Sequence, residues 1–199
     1  MDNAAEQPYR ARHDKRSTEA PMRRVLTCLL SLLFVLAAPL FGQAKSGTPI
    51  SIGTVDSIYS TTLKEQRRFL VYTPPSYRDT THLPARYPVL YLLDGDAHFH
   101  SVTGLVQILG TGINGTFVVP EMIVVAIPNT DRTRDLTPTN VVTDFAGKPA
   151  PGLKTSGGMA NFLKFIQTEL IPRIDSGLRT APYRILVGHS LGGITAINA

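Results

Sequence analysis

Cysteine is almost missing from this 199-residue chain: Cys28 stands by itself. It lies in the apolar run Val25–Phe41, read below as removable. A mature chain without it holds no disulfide and no thiol nucleophile, and zinc–thiolate chemistry is excluded. A secreted domain of this size manages without disulfides because its core is large enough. A basic cluster is missing from the body as well. The formal charge is +5, but residues 1–44 hold six Lys/Arg against four Asp/Glu, which leaves 14 basic and 11 acidic residues in the remainder. That near balance offers no footprint for nucleic acid. Internal repeats and low-complexity tracts are also absent. What the chain does have is 43% hydrophobic residues, enough for a packed core and too many for global disorder. Its length fits one domain of ordinary size.

Met22-Arg23-Arg24 is followed by the apolar stretch Val25–Leu36, then by Ala37-Ala38-Pro39 and a small-residue site, Gly42-Gln43-Ala44. Basic, apolar, then small is the order of a secretory signal peptide, so residues 22–44 are expected to be cut after Ala44 and the product to be secreted or periplasmic. An uncleaved anchor is the competing reading. The run is shorter than the about 20 residues a span needs, and Pro39 breaks its end. The membrane is then met only through the export signal. Residues 1–21 are polar and charged, either an extension or a mis-assigned start, with Met22 favoured as the true first residue.

In residues 45–199, Ile50–Leu63 and Gln66–Thr73 alternate apolar and polar side chains and read as two antiparallel strands. Val89–Leu93 and Met122–Ile127 are continuous apolar runs, as expected of strands buried on both faces. Arg184–Val187 reads as a third. His98–Ile113 is expected to be helical, with apolar residues at Val102, Leu105, Val106 and Leu109. Gly158–Ile174 is the clearest helix, with a broad stripe from Met159 to Leu170 and Pro172 expected to end or kink it. Asp131–Ser156, rich in Thr, Pro and Gly, reads as a long functional or mobile loop. Strands alternating with helices imply an α/β fold: a mostly parallel sheet with helices on both faces.

The third buried strand runs into Gly188-His189-Ser190-Leu191-Gly192-Gly193, a G-x-S-x-G nucleophile elbow. The serine sits at a sharp strand-to-helix turn, where side chains two residues away on either side would collide. A helix starting at Leu191 aims its first amides at the site and favours an anionic tetrahedral intermediate. Ser190 is therefore the candidate nucleophile. His189 adjoins it, but on so tight a turn its side chain points away, and it is read as a packing residue and not as the base. Asp94-Gly95-Asp96 follows the first buried strand. A backbone N–H of Gly95 or Asp96 is expected to complete the oxyanion hole with that of Leu191. His98 and His100 read as surface or pocket-rim histidines in preference to a metal pair, with His98 a candidate substrate contact. Arg132, Arg134 and Asp135 follow the second buried strand, at the sheet edge that carries sites in open α/β folds. Arg134 is a candidate substrate contact, with an ordinary ion pair equally open. No metal and no cofactor is expected.

Together, PVLYLLDGDAHF (residues 88–99), RTRDLT (132–137), the helix opening at Ser156-Gly157-Gly158, and YRILVGHSLGG (183–193) resemble the putative-esterase family, which includes bacterial siderophore (enterochelin) esterases and esterase D-like hydrolases. The resemblance implies an α/β-hydrolase fold and hydrolysis of a small-molecule carboxylic ester through a Ser-His-Asp/Glu triad. It implies Ser190 as nucleophile, with the Gly95–Asp96 loop and Leu191 as oxyanion donors. In that fold the acid and then the histidine follow the serine, whereas nine residues follow Ser190 here. The expectation is thus a truncated hydrolase domain over 45–199, lacking acid and histidine and inactive as it stands. An acyltransferase on the same acyl-enzyme, or a non-catalytic exported binding domain, remains open. The sequence does not identify the ester.

Overall fold

The computed structural model describes residues 47–81, 84–112, 115 and 117–199. The polar leader, the apolar run with Cys28 and the expected cleavage point after Ala44 lie outside the described residues. Residues 50–199 form one compact unit.

The sheet starts from a hairpin. β1 (Thr54–Ser60) pairs antiparallel with β2 (Glu65–Tyr72). Its turn is closed by the Lys64 N–H on Ser60 O and by the Leu63 N–H on Ser60 Oγ, both at 2.9 Å. β3 (Tyr87–Leu92), β4 (Ile123–Ala126) and β5 (Thr180–Val187) run parallel, and the strand order is β1-β2-β4-β3-β5. The sheet is therefore less parallel than the pattern of runs suggests. β2 joins β4 antiparallel, so two of its four pairings are antiparallel. Continuous apolar runs report burial on both faces, not direction, and the hairpin supplies its own antiparallel edge.

The two faces can be read off the strand period of two. Val89, Tyr91, Leu93, Ile123, Val125 and Phe69 enter one core with Phe162, Phe165, Leu170 and Ile174. Leu90, Leu92, Val124, Ala126 and Tyr72 enter the other with Phe99 and Val106. Helices thus cover both faces. One face carries α1 (Gly95–Gly110), which begins three residues earlier than expected and leaves Leu105 55% exposed, outside its buried stripe. The other carries a helix in three registers: α3 (Met159–Phe165), a π-turn (Ile166–Leu170) and α4 (Ile171–Gly177). Pro172 does not end this helix. It sits in the first turn of α4, directly after the π-turn, where the missing N–H is tolerated.

The segment 131–156 is not a bare loop. It holds α2 (Arg132–Asp135), a 3₁₀ turn at Pro151–Leu153 and a bridge between Thr143 and Pro149. Gly157 returns it to the body at φ +99°, with its N–H on Thr137 Oγ1 at 2.7 Å; a Cβ there would stand 2.6 Å from the Asn140 nitrogen.

The strand order places the site. From β3 the chain crosses through α1 to β4 on one side. From β4 it returns through α3 and α4 to β5 on the other side of β3. The connections diverge at β3, and in open α/β sheets ligands bind outside the carboxyl ends of the strands at such a point. Asp94 and Gly188 stand at those ends of β3 and β5.

Candidate active site

β5 delivers the chain into the turn Gly188–Ser190, and α5 (Leu191–Ile197) leaves it. Ser190 has φ 57° and ψ −120°, a conformation that non-glycine residues rarely adopt and that costs of order 1–3 kcal/mol. The turn is closed by the Gly192 N–H on His189 O at 2.9 Å and the Ile194 N–H on Ser190 O at 3.1 Å. The two elbow glycines are unequal. A Cβ at Gly188 would lie 2.2 Å from the Gly192 oxygen, which is impossible without moving backbone. A Cβ at Gly192 would lie 3.1 Å from Asp94 Oδ2, which is tight but not forbidden. Ser190 is exposed, and among the described residues its hydroxyl is hydrogen-bonded to no histidine or carboxylate. The Leu191 N–H is first in α5 and has no acceptor within the helix.

The loop after β3 faces the elbow. The rings of His98 and His189 meet edge to face, with centroids 5.9 Å apart. His189 is therefore an exposed residue against His98, not the packed one that the tight turn suggests. His98 is half-buried beside the elbow; His100 is exposed. Of the two expected oxyanion amides in this loop, that of Gly95 is already used: its N–H donates to Ile127 O at 2.9 Å. A Cβ at Gly95 would meet the Ile127 nitrogen at 2.7 Å, so this glycine serves close packing against the end of β4. The Asp96 N–H, second in α1, has no acceptor within the helix.

Asp94 is the residue that sequence reasoning passed over. It caps α1 in the left-handed region, φ 53° and ψ 43°, and is 5% exposed. Arg132 grips its carboxylate with two hydrogen bonds, Nε to Oδ1 at 2.6 Å and Nη2 to Oδ2 at 3.0 Å. Asn129 Nδ2 donates to Oδ1 at 2.8 Å. Burial pushes the Asp94 carboxyl upward, but the hydrogen bonds of Arg132 and Asn129, with the charge of Arg132, outweigh it and hold the group below its ordinary value. The letters D-G-D and R-T-R-D carry a hint, an acid and a base at neighbouring strand ends, but nothing in one sequence says which arginine reaches which carboxylate.

Arg134 is not free to meet a substrate. Its Nη2 donates to Glu65 Oε1 at 2.6 Å, Nη1 to Glu65 Oε2 at 3.1 Å, and Nε to Asp135 Oδ1 at 2.7 Å. The bonds to Glu65 and Asp135 raise its pKa further. The same carboxylates receive the buried Arg67, which donates to Asp135 Oδ2 at 2.6 Å and lies over the Phe162 ring at 5.2 Å from its centroid. Two arginines and two carboxylates form a closed set that ties β2 to α2, so the ion-pair reading of Arg134 replaces the substrate contact. The physical reason is full use of the guanidinium: every nitrogen of Arg134 is hydrogen-bonded inside the protein.

Residues 60–199 match the Putative esterase family. The ferri-bacillibactin esterase BesA of Bacillus subtilis (strain 168) is 34% identical over 119 residues, covering 56% of this chain and 41% of that protein. An IroE-like serine hydrolase from Shewanella oneidensis is 38% identical, with a TM-score of 0.68 over 74% of this chain and 45% of its own. The BES protein from Bacillus cereus is 25% identical, with a TM-score of 0.62 over 77% of this chain and 59% of its own. The chain thus spans less than half the length of the first two.

Proposed function

The chain belongs to the Putative esterase family, and from that membership we propose that it is the nucleophile-bearing part of an α/β-hydrolase that cleaves small-molecule carboxylic esters through an acyl-enzyme on Ser190. The observation that carries this is the backbone of Ser190. A serine at φ 57° between a parallel strand and a helix start has no structural purpose that glycine would not serve better, and it presents its hydroxyl above the sheet. The hydroxyl attacks the ester carbonyl, the alcohol leaves, and water then releases the acid. The Leu191 and Asp96 amides are the donors for the oxyanion, whose stabilisation is the largest single term in such reactions. The substrate class is a siderophore ester, in line with the names of the bacillibactin esterase and its kin.

None of the described histidines, His98, His100 and His189, is hydrogen-bonded to Ser190 Oγ. An unassisted serine is a weak nucleophile, and among the described residues none assists it, so slow turnover is the expected outcome. We likewise propose export, with cleavage after Ala44.

The test is covalent chemistry at one residue. The chain is incubated with an activated acetate ester or an organophosphonate, and the adduct is located by peptide mass spectrometry. Slow, single-site modification of Ser190, lost in Ser190→Ala, is expected. Modification elsewhere, or equal turnover by Ser190→Ala, would overturn the assignment. Turnover as fast as that of a full-length relative would overturn the absence of a positioned base.

A further inference from the structure

Three costs fall together on Asp94: a charge, burial and a left-handed backbone. A buried carboxylate persists only where its partners offset the lost hydration. Both partners come from the segment that follows β4, and each makes a second contact. Arg132, at the start of α2, also donates from Nη2 to His189 O at 3.4 Å, in the elbow. Asn129, just past β4, also donates from Nδ2 to Asp96 Oδ1 at 3.1 Å, with its backbone N–H on the same oxygen at 3.3 Å. Asp94 Oδ2 lies against Gly192, where a Cβ would stand 3.1 Å away. One carboxylate thus joins the loops that follow β3 and β4 directly, and the turn after β5 through Arg132.

The two amides assigned to the oxyanion sit on two of these loops, Asp96 after β3 and Leu191 after β5. The last sheet bond between the two segments is the Leu93 N–H on Val187 O at 2.8 Å, below the site. Beyond it, the spacing of the loops depends on side chains. A planar guanidinium gripping a carboxylate at two points fixes orientation as well as distance, which a lysine or an amide does not.

We propose that Asp94 is a positioning residue: its two-point pair with Arg132, completed by Asn129, holds the Asp96 and Leu191 amides at the spacing that the tetrahedral oxyanion requires. This rests on the reading of Ser190 as the acylated residue. Asp94 touches no substrate atom; it acts through the backbone of three loops.

The test uses the full chain with Asp94→Asn, Arg132→Lys and Asn129→Ala, and two readouts. The first is hydrolysis of p-nitrophenyl acetate above the Ser190→Ala background. Loss of one oxyanion donor costs about 10²–10³ in kcat. Asp94→Asn is therefore expected to lower kcat by about a hundredfold with KM within about twofold, and Arg132→Lys to retain part of what Asp94→Asn loses. The second is hydrogen exchange at the Gly95, His98 and Gly192 amides, all hydrogen-bonded in the native turns. Exchange there should quicken about tenfold or more in Asp94→Asn while Val124 and Val125 in β4 keep their rates. Unchanged kcat, or equally faster exchange in β4, would reduce the pair to an ordinary structural ion pair. Should Asp94→Asn fail to fold, Arg132→Lys and Asn129→Ala carry both readouts. Should Ser190→Ala keep full turnover, the acyl-enzyme reading fails on its own account. The exchange measurement still decides the brace: wild-type exchange at Gly95 and Gly192 in all three variants overturns it.

Discussion

At Gly188 a single methyl group would have to occupy the space of a backbone carbonyl. The Cβ would stand 2.2 Å from the Gly192 oxygen, against 3.1 Å from a side-chain oxygen for the corresponding Cβ at Gly192. Side chains can yield; a closed turn cannot. Gly188→Ala is expected to destabilise the fold by about 3 kcal/mol and to abolish Ser190 modification, whereas Gly192→Ala costs about 1 kcal/mol and keeps part of it. Urea unfolding in dilute solution, with adduct formation on the same samples, checks the order. Equal effects of the two changes would mean that the turn relaxes. A glycine at each of the two positions was legible from the motif; their inequality was not, because it depends on which atoms of other loops stand opposite.

Among the elements, the joint between the hairpin and the α3–α4 helix rests on Glu169. Its carboxylate accepts from the Thr62 N–H at 2.8 Å, Thr62 Oγ1 at 2.6 Å, Thr61 Oγ1 at 2.9 Å and the Thr61 N–H at 3.1 Å. Burial acts to raise its pKa, but these hydrogen bonds outweigh it and bring the group from 4.5 down to about 2. A carboxyl depressed in the folded state contributes stability that is fully present above its unfolded value and is lost as pH falls through its folded value. Wild type should therefore exceed Glu169→Gln in stability above about pH 5, and the gap should close between about pH 4.5 and pH 2. A gap that stays constant over that range would show that the carboxylate charge is irrelevant. The π-turn that carries Glu169 was not legible in the sequence. Periodicity gave one helix over Gly158–Ile174, and a register change within an apolar stripe leaves the stripe almost unaltered.

For the molecule as a whole, the apolar edge among the described residues is β5, the opposite edge being β1 of the hairpin. β5 ends the sheet, and its residues are only partly covered although Ile185, Leu186 and Val187 are apolar. Beside it runs a groove of about 660 Å³, floored by Tyr91, Leu163, Ile171 and Leu186. The Tyr91 hydroxyl is buried and has no hydrogen-bond partner among the described residues. An apolar strand at a sheet edge invites pairing with another chain. The 45–199 chain is expected to self-associate with rising concentration and to bind ANS, as sedimentation and dye fluorescence would show. A monodisperse monomer with a sharp cooperative melt would mean that this edge is protected in another way.

By itself the sequence determined the local features of this protein. Unbroken apolar runs marked β3, β4 and the end of β5, because burial on both faces leaves no polar position. G-x-S-x-G marked Ser190, because the turn tolerates few other letters. Tertiary structure decided what depends on distance through space: the antiparallel seam of β2 on β4, the loss of the Gly95 amide to Ile127, and the fates of two arginines two positions apart. Arg134 turns to Glu65, 69 positions earlier in the chain, and Arg132 to Asp94, 38 positions earlier. Periodicity reports which way a side chain faces along its own element. It carries no information about which loop of another strand will stand opposite, and that is what sends Arg134 to the hairpin and Arg132 to the loop beside the Ser190 turn.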